Sequence, residues 1–73
     1  MTKKQIYTAL RGLKKELQNI QTFNDYVSIS LKGQKLTTAL FNKGISKTDM
    51  KLILAWEAAK EIKRNQVKQK EAA

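Results

Sequence analysis

The sequence predicts a small, mainly helical, single-domain protein, and three features of its 73 residues point there. Ile6, Leu10, Leu13, Leu17 and Ile20 recur at spacings of four, three, four and three, which is one apolar seam along a helix. Lys43-Gly44-Ile45-Ser46-Lys47-Thr48-Asp49-Met50 combines a helix stop with a helix start. Tyr26-Val27-Ser28-Ile29-Ser30-Leu31 alternates strictly between larger apolar and polar positions. The predicted order is a long N-terminal helix, a short β-strand over about 26–31, and two helices joined by a tight turn from Gly44 to Ser46. The alternative is an all-α three-helix bundle whose last two helices form a helix-turn-helix.

The first helix begins where Thr2 and Gln5 fit a capping box and Met1 and Ile6 fit a hydrophobic staple. Lys3, Lys4, Arg11, Lys14 and Lys15 fall largely off its seam, and Gly12 weakens it by about 1 kcal/mol relative to Ala. Asn24-Asp25 is turn chemistry. Over 26–31 the strand is favoured by period two and by β-branched Val27 and Ile29. A helical pattern competes with it, because Tyr26, Ile29, Gly33, Leu36 and Leu40 also recur at helical spacing. Gln34 to Lys43 reads as a short helix closed by Gly44, which supplies a left-handed backbone position. Ser46 and Asp49 form a second capping box, flanked by Ile45 and Met50 as a staple.

The last helix is apolar almost all round from Met50 to Ala59, which calls for protein on every side. Trp56 reads as its core or interface anchor. Residues 1–66 are predicted as the domain and 67–73 as a basic, mobile tail.

The chain carries fifteen basic and six acidic residues, a net charge of +9, and thirteen of the basic residues are lysines. Such an excess favours polyanionic partners, and lysine suits phosphate better than it suits bidentate base reading. A core of this size is marginal, and with no cysteine or histidine neither disulfides nor a zinc site is available to support it. A homodimer is the remaining expectation.

Catalysis is not expected. The chain has no Cys or His, its carboxylates are scattered, and its three glycines stand alone at 12, 33 and 44. No cofactor is expected either. The basic start leads into an amphipathic stretch rather than a solid apolar run, so the predicted location is cytoplasmic, with no membrane association.

Val27-Ser28-Ile29-Ser30-Leu31, followed by Gly44-Ile45-Ser46-Lys47-Thr48-Asp49-Met50, resembles the ribbon-helix-helix family of bacterial and phage repressors over residues 26–62. The resemblance implies strands paired between two chains, with Ser28 and Ser30 facing DNA bases and the start of the last helix on a phosphate. With the helix-turn-helix alternative, it gives a DNA-contacting set of Ser28, Ser30, Lys32, Lys35, Ser46, Lys47, Thr48 and Lys51. Ile29, Leu31, Ile53 and Trp56 form the dimer- or core-packing set. The function this implies is double-stranded DNA binding by a phage- or plasmid-type transcriptional regulator. A protein-binding modulator, docking on a host enzyme through the seam of the first helix or through residues such as Leu52 and Trp56, is the alternative.

Overall fold

The structure is a computed structural model and describes residues 1–72. Three helices follow one another: α1 over Lys3–Asn19, α2 over Phe23–Asn42 and α3 over Lys47–Ala72. No described helix is long and apolar enough to cross a membrane. Each helix starts at a hydroxyl cap. Thr2 Oγ1 accepts from the Gln5 N–H at 3.2 Å while Gln5 Oε1 accepts from the Thr2 N–H at 2.8 Å. Thr22 Oγ1 accepts from the Asp25 N–H at 3.2 Å, so the stretch read as a turn is the cap of α2. Ser46 and Asp49 exchange the same pair of bonds at 3.2 and 2.9 Å. Gly44 takes φ 88°, the left-handed position that releases the chain from α2.

The helices run up, down and up. Lys3 of α1 meets Asp49 near the start of α3, and the Lys63 ammonium donates to the Gln18 carbonyl near the end of α1, so α1 and α3 are parallel. The Phe23 N–H donates to Glu71 Oε1 at 2.8 Å, which joins the first turn of α2 to the last of α3. The seam of α1 meets Ile29 and Leu40 from α2 and Ile53, Trp56 and Val67 from α3 in one core. Ile53 and Trp56 are therefore buried within a single chain.

Two expectations change here. Residues 26–31 are helical, and among the described residues no strand is present. Of the alternating trio only Ile29 is buried; Val27 and Leu31 are exposed, Leu31 to 55%. The competing helical set wins, with Ile29, Gly33 and Leu40 buried and Tyr26 and Leu36 packed against them. A lone strand would leave its backbone N–H and C=O groups unpaired, whereas a helix satisfies them within itself. Gly33 adds a tertiary reason. A Cβ there would lie 2.6 Å from Cε2 and 2.8 Å from Nε1 of Trp56, so the bare backbone is what admits the indole. The tail is the second change: α3 continues to Ala72 and buries Val67, while Ala73 lies outside the described residues.

The helix-turn-helix expectation is half met. The three-helix bundle is present, but its last two helices do not cross. A 20-residue α2 is about 30 Å long, and the Cα envelope measures 42 × 19 × 16 Å. Only the long axis accommodates such a helix, so α2 and α3 pair as an antiparallel hairpin rather than at the roughly 90–120° of a helix-turn-helix.

Gly33 and Gly12 make a contrasting pair for urea denaturation followed by circular dichroism. Gly33→Ala should destabilise by about 1–3 kcal/mol through overpacking against Trp56. A Cβ at Gly12 meets nothing within 4 Å, and Gly12→Ala should stabilise by up to about 1 kcal/mol. Trp56→Ala should cost about 3–5 kcal/mol.

Candidate functional site

The face formed by α1 and α3 depends on how the start of α1 is held. Asp49 is fully buried, and its two oxygens accept from three groups, two on α1 and one at the start of α3. Oδ2 accepts from the Lys3 ammonium at 2.6 Å and from the Ser46 N–H at 2.9 Å, and Oδ1 accepts from the Tyr7 hydroxyl. Lys3 also donates to the Gly44 carbonyl at 2.8 Å. The corner between α2 and α3 is thereby fastened to the first two turns of α1. The Lys3 ammonium, then the Tyr7 hydroxyl and the Ser46 N–H, hold the Asp49 carboxyl well below the usual carboxylate range. Its bond to Asp49, reinforced by burial and by the carboxylate charge, pushes the Tyr7 phenol up.

With α1 and α3 side by side, the charges separate by face. Glu16 and Asp25 lie along the groove between α1 and α2. Glu57 and Glu61 line the groove between α2 and α3. Asp49 is inside the clamp, and Glu71 accepts from the first turn of α2. None of the six carboxylates lines the groove between α1 and α3. Lys14 and half-buried Lys63 line that groove; Lys4, Arg11 and Lys15 are exposed elsewhere along α1, and Lys47 and Lys51 are exposed on the opening turns of α3. None of the seven is ion-paired: among the described residues only Lys3 and Lys60 bridge to carboxylates.

Between the two helices runs a groove of about 550 Å³. Leu17, Ala55, Ala58, Ala59 and Ile62 form its apolar floor, and Lys14 and Lys63 stand among its walls with Gln18 and Gln66. Lys47, Lys51 and Ala55 recur every four residues, so the cationic opening of α3 leads along one row into this floor. Ile62 and Leu54 on the outer side of α3 remain 61% and 60% exposed.

The structure divides the sequence-predicted set. Lys47, Thr48 and Lys51 are exposed together at the start of α3. The Ser46 hydroxyl and its N–H are both engaged in the cap, so Ser46 is a structural residue rather than a free phosphate ligand. Ser28, Lys32 and Lys35 line grooves on the α1–α2 side, beside Glu16. Ser30 is half-buried and two residues round the helix from Ser28, so the two serines share no face. Of the packing set, Ile29, Ile53 and Trp56 are core and Leu31 is surface. Neither the α1 seam nor Trp56 is available as a docking surface, since both are buried. Sequence reasoning passed over Lys4, Arg11 and Lys15, although their spacings of seven and four already marked one helical row.

Acid and base titrations of stability test the clamp. The Asp49 contribution is complete above the ordinary aspartate value of 3.8 and is lost as the pH falls below it toward the lower folded-state value. The stability gap between the wild type and Asp49→Asn should therefore be widest at neutral pH and narrow below about pH 4. The Tyr7 contribution is complete below 10.0 and is lost as the pH rises through the raised folded-state value. Tyr7→Phe should accordingly be less sensitive than the wild type to alkali. Comparison with protein families, with characterised proteins and with solved structures finds no match to this chain.

Proposed function

We propose that this protein is a small DNA-binding protein, not an enzyme, that holds the phosphate backbone of double-stranded DNA on its α1–α3 face. One observation carries the reading: the groove between α1 and α3 is lined by Lys14 and Lys63 with no carboxylate, and Lys47 and Lys51 are exposed on α3 two turns and one turn before Ala55 of its floor, whereas the other grooves hold carboxylates. Lysines dominate that set, and a lysine ammonium binds phosphate as a point charge without selecting a base.

The shape of the face supports phosphate contact over base reading. A single helix, about 10–12 Å across with its side chains, fits a major groove about 12 Å wide. Two parallel helices with axes about 8–10 Å apart do not enter it together. The α1–α3 face would lie across the groove and meet the phosphates on its edges. Regulation of transcription, in this reading, comes from occupying DNA more than from recognising a long operator.

Fluorescence anisotropy with a labelled duplex across a salt series tests this. Affinity should fall steeply with salt, with a slope of about −0.9 per phosphate contact in log K against log salt. Lys47→Glu with Lys51→Glu should weaken binding at least about tenfold and reduce the salt slope by about 2, with an unchanged helical signal. Lys32→Glu with Lys35→Glu, on the α1–α2 side, should leave binding close to that of the wild type. No binding at low salt, or equal loss in both double variants, would overturn the assignment to this face.

A further inference from the structure

Phosphates account for the cations of the α1–α3 face but not for its apolar floor. Ala55, Ala58, Ala59 and Ile62 lie between the charged positions and present to solvent a surface that a sugar–phosphate backbone does not bury. Ile62 is a large, exposed apolar side chain on this groove. From Ala55 to Ile62 the floor spans seven residues, about 10 Å of helix. An amphipathic helix that docks through anchors at i, i+3 or i+4 and i+7 needs about the same length.

We infer that the groove between α1 and α3 is a docking site for an acidic amphipathic helix of a partner protein, which would complete a four-helix arrangement. Charge complementarity selects this occupant. The groove residues include Lys14 and Lys63 and no carboxylate, and Lys47 and Lys51 approach it along the same row of α3. A helix with an apolar stripe flanked by Glu or Asp would bury its stripe on the alanines and Ile62 and set its carboxylates against these lysines. The small floor residues let two helix backbones approach closely, and the lysine stems cover the edges of the contact. A second copy of this chain docking through the same face would oppose lysines to lysines, which disfavours self-association there. The inference does not rest on DNA binding. If both hold, the partner helix and DNA compete for one face, and the partner acts as a displacing regulator.

The probe is a synthetic peptide of about 18 residues, long enough to sustain a helix, with leucines at i, i+3, i+4 and i+7 and glutamates on either side. It is titrated into the full chain in the absence of DNA and followed by amide chemical shifts. Shift changes centred on Lys14, Ala55, Ala58 and Ile62 are expected. A companion peptide with every Glu replaced by Lys should bind at least about tenfold more weakly through the reversed charge. Ala58→Glu, a substitution at an exposed position, should also lose at least tenfold in affinity while keeping the helical signal. Leu31→Glu on α2 should bind as the wild type does. Equal binding of the two peptides, shifts centred on another face, an unaffected Ala58→Glu, or concentration-dependent self-association covering the same residues would each overturn the proposal. Because no DNA is present, a failure here leaves the salt-series result intact, and a failure there leaves this one intact.

Discussion

The Asp49 carboxylate is the point on which the arrangement of the helices turns. It caps α3 through the Ser46 N–H, and it binds Lys3 and Tyr7 one turn apart on α1. A fully buried carboxylate without partners would be strongly unfavourable, and here both oxygens are satisfied from three places in the chain. That network does what apolar packing alone does poorly, which is to specify one relative position of three helix ends. It aligns the start of α1 with the start of α3, and the two run parallel with Lys14 and Lys63 on the groove between them. The second Lys3 bond, to the Gly44 carbonyl, satisfies an acceptor at the place where α2 has just ended.

The other end of the bundle is closed by weaker, more exposed contacts. Phe23 and Glu71 meet, Lys70 meets Gln21, and Lys63 reaches the Gln18 carbonyl. Between the two ends, Gly33 and Trp56 set how closely α2 and α3 approach. The indole occupies the space a side chain at position 33 would need, and its Nε1–H is buried without a hydrogen-bond partner. An unpaired buried donor costs about 1–3 kcal/mol, so the packing of the large indole surface must outweigh it. This contact also makes sense of an unpromising helix. α2 contains Val27, Ile29, two serines and a glycine, all weak helix formers. It is helical because one face of it completes the core, and tertiary burial overrides propensities of a few tenths of a kcal/mol per residue.

Packing three helices around a shared core leaves three grooves, and the distribution of carboxylates gives each a different character. Two contain acids beside bases and amount to ordinary solvated surface. The third contains lysines without acids over an alanine-rich floor. The composition alone states only that basic residues exceed acidic ones. The fold converts that excess into a local field, because a charge pair on the opposite side of a bundle lies beyond roughly one Debye length of about 8–10 Å and is screened by salt.

Much of the fold is legible in the residues taken one stretch at a time. The α1 seam, the Thr2–Gln5 box, the Ser46–Asp49 box and the left-handed Gly44 all rest on interactions within a few residues, and each stands in the structure as the local pattern requires. What sequence alone left open was wherever distant residues decide. Residues 26–31 carried two periodicities at once, and the packing of Trp56 against Gly33 goes with the helical one. Asp49 read as a local cap, but its bonds to Lys3 and Tyr7 span more than forty residues, beyond the reach of any local pattern. The candidate site has the same origin. Lys47, Thr48 and Lys51 were visible as an exposed helix start, whereas the meeting of Lys14 and Lys63 on one groove exists only because α1 lies parallel to α3. Local spacing determined the helices and their ends; the pairing of helices determined which charges became neighbours, because neighbourhood across a bundle depends on helix order and direction and not on distance along the chain.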